Sequence, residues 1–179
     1  HNSGHRVLVL GGSQGAQAIN QALVQALPRL SAQGVQILHQ TGAQHFEAVR
    51  QAYARYDQNR FQVVPFIQDM AQAYAWADLV MSRAGASTVA ELTTIGRPSV
   101  LIPFPYAAHQ HQLHNARLLE KAGAAMLLEQ SYLGQVDIAS ILIDLLALPE
   151  KLVSMGRAAR QLGRPEASRT IVGEVEDLI

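Results

Sequence analysis

The sequence predicts an α/β fold, a doubly wound parallel sheet of six strands. Three observations lead there. Short apolar runs recur along the chain and lack the alternation of a strand with one wet face, so each reads as buried on both sides. A stretch of helical apolar spacing follows each run. No hairpin turn joins neighbouring runs, which leaves parallel strands linked by helical crossovers.

Composition narrows the class. At 179 residues the chain suits one well-buried domain and is short for two. Its 14 basic and 14 acidic residues cancel, so no basic face is implied and nucleic acid is not an expected partner. Cysteine is absent, which excludes a disulfide scaffold and a thiolate metal site. No apolar run approaches a membrane span, and no signal-peptide pattern opens the printed sequence. His1–His5 reads as a remnant outside the fold, giving a domain over residues 6–179. The chain then enters a strand at once, as expected of a domain cut from a longer protein.

In order, Arg6–Leu10 is the first strand, followed by Gly11-Gly12-Ser13-Gln14-Gly15-Ala16 and a helix through Leu30. Ile19, Leu23 and Leu27 set its period, and Pro28 is expected to bend or shorten the last turn. Val35–His39 is a second strand, Gln44–Tyr56 a helix, and Phe61–Val64 a third strand. A short helix spans about Ala71 to Trp76, and Leu79–Met81 is the fourth strand. A helix begins near Ser87 or Thr88 on the period Val89, Leu92, Ile95, and Gly96-Arg97-Pro98 ends it. Ser99–Ile102 makes the fifth strand, and Pro103–Ala108 is a stiff loop that cannot extend the ladder. The stretch from His109 opens a helix to about Lys121, and Ala125–Leu128 forms the sixth strand. Helices over Val136–Leu146, from Pro149, and after Pro165 complete the chain. The expected strand order is 3-2-1-4-5-6, the Rossmann-like order, with a crevice where strands one and four part.

Two turns open onto that crevice. The glycine-rich turn after the first strand, with Gly12, Ser13 and Gln14, joins a strand to a helix as phosphate cradles do. It lacks the dinucleotide glycine spacing, the acidic residue that would end the next strand, and the Gly-Lys-Ser/Thr of a P-loop. The alternative is a tight turn that needs glycine, with no ligand involved. The second turn, Gly85-Ala86-Ser87-Thr88, also precedes a helix whose unpaired amides suit phosphate. Glu91, three residues on, has two acceptor oxygens and can hold a diol such as a ribose. Alternatively Thr88 and Glu91 form a capping box with no ligand involved.

Other candidates flank these turns. Ile67 and Met70, beyond the third strand, can sandwich a flat base while a backbone group reads its edge, or they are ordinary core. His109, His111 and His114 invite a metal reading, but no carboxylate or thiolate lies near them in sequence. Contact with a ligand hydroxyl suits His111 and Gln112 better.

Taken together, Gly11–Ala16, Phe66–Met70, Ser82–Leu92, and Pro103-Phe104-Pro105 with His111–Ala116 resemble the MurG family of glycosyltransferases. These enzymes add N-acetylglucosamine to lipid I in peptidoglycan synthesis, and the resemblance runs from about Arg6 to the C-terminus. It implies the C-terminal, nucleotide-sugar half of a two-domain GT-B enzyme, inverting and without a catalytic metal or cofactor. Glu91 would hold the ribose hydroxyls, backbone at Ile67 the uracil edge, and Met70 would lie beside the ring. Ser13, flanked by Gly12 and Gln14, would take the diphosphate with Gly85, Ala86, Ser87 and Thr88, and His111 and Gln112 would address the sugar. The implied partners are UDP-N-acetylglucosamine and an N-terminal acceptor domain that binds lipid I at the membrane. The implied location is cytoplasmic, with the parent enzyme peripheral on the inner membrane and serving cell-wall synthesis, cell shape and division. No catalytic base is assigned in this chain. Family members commonly carry aspartate where His109 stands, so the sugar end departs from the family pattern. The alternatives are a UDP-sugar 2-epimerase-like or other GT-B fragment, or a non-catalytic α/β binding domain. An epimerase would aim acidic and histidine residues at the sugar C2, and none is evident around Gly12–Gly15.

Overall fold

The computed structural model describes residues 5–11 and 16–163. Six strands, β1 (Arg6–Leu10), β2 (Gln36–Gln40), β3 (Phe61–Val64), β4 (Leu79–Ser82), β5 (Ser99–Leu101) and β6 (Ala125–Leu127), form one sheet. Their order is β3-β2-β1-β4-β5-β6 and every pairing is parallel, as the sequence predicts. Seven helices connect and cover them: α1 (Gln17–Ala32), α2 (Phe46–Tyr53), α3 (Met70–Trp76), α4 (Ala86–Ile95), α5 (His111–Lys121), α6 (Ile138–Leu146) and α7 (Pro149–Leu162).

Alternation along β1 builds two cores. Val7 and Val9 pack with Leu23 and Leu27 of α1, Tyr53 of α2 and Leu142 of α6. Leu8 and Leu10 face the other way, onto Tyr74 of α3, Leu92 of α4 and Leu119 of α5. Side chains that alternate between faces, each buried at about 1.5–3 kcal/mol, fix the register, because a one-residue slip would exchange the two cores. Arg6 adds a forked contact to Asp78, at 2.8 and 3.1 Å, and ties the start of β1 to the start of β4.

Element edges differ from expectation in places. α1 runs through Pro28 to Ala32 and is not shortened there. β2 lies one residue later than expected, α2 is shorter at both ends, and β5 and β6 each end one residue early. α6 starts at Ile138 because Asp137 caps it, its carboxylate accepting the Ser140 amide at 3.3 Å. The helix expected after Pro165 lies outside the described residues. α4 and α7 approach closely through glycines: a Cβ on Gly156 would sit 2.7 Å from the Gly96 carbonyl oxygen. No described helix is long and apolar enough to cross a membrane.

Candidate functional site

All six strands being parallel, the turns after β1, β3, β4 and β5 emerge along one edge of the sheet, where open α/β sheets bind ligands. Of these, the turn after β4 carries the clearest geometry. Gly85 is the N-cap of α4 in extended backbone, with φ −64° and ψ 153°, and it supplies no side chain. The first backbone bond of the helix runs from the Val89 amide to the Gly85 carbonyl at 2.9 Å. Among the described residues the amides of Ala86, Ser87 and Thr88 therefore have no partner. Nothing lies within 4 Å of where a Gly85 Cβ would stand, so the turn is open. A positive helix end with free donors and open space is an anion site in waiting.

The capping-box alternative is overturned. With Gly85 as N-cap, Thr88 sits inside the first turn and Glu91 lies beyond reach of the cap amide. Glu91 is instead held from a neighbouring helix, its Oε2 accepting the Tyr74 hydroxyl at 2.8 Å. Tyr74 is 1% exposed, and burial first, then this bond, raise its pKa, so it stays a donor. Glu91 itself is exposed. Its Oε1 has no partner among the described residues, so the carboxylate is aimed and still open to a diol.

The sugar-end candidates, His111 and Gln112, open α5 just after the loop that follows β5. Gln112 Oε1 accepts the Phe104 amide at 3.0 Å, which leaves its NH2 group as the free end. His111 Nδ1 lies 2.6 Å from the Ala108 carbonyl, so Nδ1 donates to it and Nε2 is the end left for a ligand. Arg83 donates to the carbonyls of Ile102 and Pro103 at 3.2 and 3.3 Å and stacks 5.3 Å from the Phe104 ring. Asn115 donates to the Ala84 carbonyl at 3.0 Å and joins α5 to the turn before α4. The helix expected from His109 begins at His111, because His109 and Gln110 take left-handed φ of 49° and 53°. Asp, Asn and His are the side chains that tolerate this backbone best, so His109 meets a demand that an aspartate also meets.

At the other end, Ile67 is 8% exposed and its side chain joins the core under α3, which leaves only its backbone for a ligand. Met70, half-buried, is the first residue of α3, and Asp69 caps that helix by accepting the Gln72 amide at 2.9 Å. The Ile67 amide is already bonded, at 3.0 Å, to Gln40 Oε1. Gly12, Ser13 and Gln14 lie outside the described residues. The stem of their turn is described: the Gly11 amide donates to the Gln40 carbonyl at 2.8 Å. Below it, buried His39 bridges Tyr53 Oη (3.0 Å from Nδ1) and Asn20 Oδ1 (2.9 Å from Nε2), while Asn20 donates to the Thr41 carbonyl at 3.1 Å. Because Asn20 gives its NH2 to Thr41, its oxygen accepts from His39 Nε2–H and the Tyr53 hydroxyl donates to Nδ1. Burial lowers the His39 pKa to about 3, which keeps the ring neutral.

Tyr74, Arg83, Asn115 and Gln40 were not singled out from sequence. The one available signal was the polar trio His39-Gln40-Thr41 closing a buried strand. A cavity of about 780 Å³ opens among Asp78, Arg97 and Arg160 at the opposite edge of the sheet and contains none of the expected site residues. Among the described residues no three His, Asp or Glu side chains group to hold a metal.

The chain is 49% identical over 174 residues to the UDP-N-acetylglucosamine–N-acetylmuramyl-(pentapeptide) pyrophosphoryl-undecaprenol N-acetylglucosamine transferase of Nitratidesulfovibrio vulgaris strain DP4. The match covers 97% of this chain and 48% of that protein. The enzyme of the same description from Lawsonia intracellularis is 46% identical over 179 residues, 100% of this chain and 49% of its own length. The chain thus spans about half the length of the curated relatives it matches. Among solved structures, Acinetobacter baumannii MurG superposes with a TM-score of 0.85 at 37% identity, over 99% of this chain and 51% of that one. The UDP-GlcNAc 2-epimerase of Neisseria meningitidis shares the fold, with a TM-score of 0.67 at 12% identity, over 99% of this chain and 45% of that one. That likeness is of fold alone, and the epimerase alternative is not favoured. The family model for the glycosyltransferase family 28 C-terminal domain matches residues 6–171. The fold is that of the C-terminal half of a GT-B glycosyltransferase, and the chain belongs to the glycosyltransferase family 28 C-terminal domain family.

Proposed function

We propose that this chain binds UDP-N-acetylglucosamine as the donor half of an inverting glycosyltransferase that converts lipid I to lipid II. The observation that carries the reading is the open N-terminus of α4. Three unbonded amides, Ala86 to Thr88, lie one helical turn before a carboxylate, Glu91, aimed by Tyr74. A diphosphate fits the amides and a ribose diol fits the carboxylate, and a nucleoside diphosphate joins the two. The base then falls towards Ile67 and Met70, and the sugar towards His111 Nε2 and the Gln112 NH2 group.

The chemistry follows from that placement. In an inverting transfer the acceptor hydroxyl attacks the anomeric carbon as the bond to the diphosphate breaks, and the hydroxyl proton passes to a base. Negative charge grows on the leaving diphosphate, and the α4 amides face it with the positive end of the helix. The base and the lipid-linked acceptor belong to the N-terminal half of the parent enzyme, at the cytoplasmic face of the membrane.

Calorimetric titration of the 179-residue chain with UDP, UDP-N-acetylglucosamine and ADP tests the reading. The expected result is binding of both uridine ligands and much weaker binding of ADP. Equal affinity for ADP and UDP would remove the base assignment, and no binding of any of the three would remove the site.

A further inference from the structure

The sheet edge opposite the candidate site gathers positive charge in a chain that is neutral as a whole, with 14 basic and 14 acidic residues. Arg97, Arg157 and Arg160 line the cavity of about 780 Å³ there, and the one carboxylate among its described lining residues is Asp78. Asp78 is already engaged. Its oxygens accept Nε and Nη2 of Arg6 at 3.1 and 2.8 Å, and one of them also accepts the Arg6 amide at 2.9 Å. Among the described residues no acidic side chain pairs with Arg97, Arg157 or Arg160. The fold assembles the three. α7 meets the end of α4 where Gly156 lies against the Gly96 carbonyl, and Val153, Arg157 and Arg160 follow one face of α7 at spacings of four and three. Arg97 enters from the turn after α4. Arg160 Nη2 donates to the Ile95 carbonyl at 2.9 Å, and Arg97 Nη2 donates to the Ala75 carbonyl at 3.2 Å. Each bond meets the partial negative charge at a helix C-terminus, which occupies one nitrogen of each guanidinium. Arg97 Nε is sealed without a partner, and the exposed Arg157 side chain has none among the described residues. Burial lowers the Arg97 pKa; Asp78 works against that, and Arg6 and Arg160 add to it. Arginine stays charged all the same, so Arg97 is a half-buried cation short of counter-charge.

The rest of the wall is largely apolar, with Ile95, Leu146, Leu152 and Val153. Three cations without a carboxylate ask for more than one negative charge. A phosphate monoester carries about −1.5 to −2 at pH 7, and its oxygens suit the guanidinium fork. We propose that this cavity is a second binding site, for a small phosphate monoester with an apolar body. The phosphate stands among Arg97, Arg157 and Arg160, and the body lies on Leu146, Leu152 and Val153. The cavity falls within the range of small-molecule sites, about 300–1,000 Å³. A hollow favours a small ligand over a membrane surface, which a chain of zero net charge attracts weakly. The cavity lies at the C-terminal end of α4 and the open amides at its N-terminal end, so the inference does not rest on the donor reading.

Calorimetric titration of the 179-residue chain with hexyl phosphate, inorganic phosphate and hexanol tests the site, with and without excess UDP. Hexyl phosphate should bind about tenfold tighter than inorganic phosphate or better, because its chain leaves water as it binds. Hexanol should not bind measurably, added salt should weaken the ester, and excess UDP should not displace it. Arg157→Gln, at an exposed position, should weaken the ester by about fivefold or more. Val153→Asp sets a carboxylate in the cavity wall and should abolish ester binding; Val153 is 53% exposed, so the fold tolerates the change. Both variants should melt near the unaltered chain and respond to UDP as it does. Absence of ester binding to the unaltered chain, displacement of the ester by UDP, or equal ester affinity in the unaltered chain and both folded variants overturns the proposal. So does capture of the chain by phosphatidic-acid vesicles that Arg157→Gln abolishes, because the arginines would then face a membrane and not a small ligand.

Discussion

The Tyr74 hydroxyl lies 2.8 Å from Glu91 Oε2, so a buried phenol on α3 sets the direction of an exposed carboxylate on α4. Tyr74 ends in the core and Glu91 at the surface, so the packed interior holds an exposed candidate for the ribose in one direction. Holding one oxygen leaves the other, and the spare lone pair of the first, for a ligand.

Two substitutions separate holding the ligand from aiming the holder. Glu91→Ala should leave the fold intact and weaken UDP by tenfold or more, since hydrogen bonds to a charged group are worth about 1.5–3 kcal/mol each. Tyr74→Phe keeps the carboxylate and frees its rotation, so UDP should weaken by only a few-fold. Calorimetry beside thermal melts reads both. If Glu91→Ala lowers the melting temperature but leaves UDP affinity untouched, the ribose role is lost.

His39 should make the domain acid-sensitive. Its folded pKa is about 3 against an ordinary 6.5, because burial disfavours the charged ring. Above pH 6.5 the ring is neutral in both states and stability is whole. As pH falls towards 3 the unfolded chain takes up a proton that the folded chain refuses, and stability drops by up to about 5 kcal/mol. Urea melts at pH 7, 5.5 and 4.5 should show that slope, and His39→Gln should flatten it even though the variant is weaker at pH 7. Parallel slopes in the two chains would exclude His39 as the source.

Arg83 braces the loop after β5, and its effect should appear at the sugar. Arg83→Lys keeps the charge but loses the planar guanidinium, whose Nη1 donates to both the Ile102 and Pro103 carbonyls, along with its stack on Phe104. Two carbonyls left short of partners should cost about 1–3 kcal/mol of stability. UDP-N-acetylglucosamine should then lose more affinity than UDP, because His111 and Gln112 open α5 just after the loosened loop, and Gln112 is bonded to Phe104 in it. An equal loss for both ligands would place the effect at the nucleotide.

The fold was legible because its signals are local. Buried runs without alternation, separated by helical periods, dictate a parallel sheet, and six such runs dictate nearly all of its order. The open turn at Gly85–Thr88, with its unbonded amides, was legible because one local pattern, small residues before a helix, carries it. The site stayed open to two readings where a local pattern had a competing local meaning: Thr88 and Glu91 match a capping box, yet Gly85 starts the helix earlier and voids it. Tyr74 and Gln40 could not be found this way, since their partners stand 17 and 27 residues off and only the packed chain brings them near. The start of α5 was missed for a backbone reason, two consecutive left-handed residues that apolar spacing does not register.

The last prediction is that this chain binds the donor without transferring its sugar. Transfer needs a base within hydrogen-bond reach of the acceptor hydroxyl, and it needs both substrates in near-attack geometry. Three described side chains that could take a proton near the crevice are held elsewhere. Glu91 is bonded to Tyr74, His111 is tied to Ala108 through Nδ1, and His39 is buried with both nitrogens bonded. The His39 ring also lies too deep to meet an acceptor, and with its pKa near 3 it takes up a proton poorly. Hydrolysis of the donor by water is all that remains, near the uncatalysed rate. Transfer of radiolabelled N-acetylglucosamine to a lipid I analogue, at saturating donor, is the measurement. Background counts are expected, rising when the N-terminal half of a relative is joined to this chain. Turnover by the isolated chain at the rate of a full-length relative would mean that a base lies within these residues, and the division of labour between the two halves would have to be redrawn.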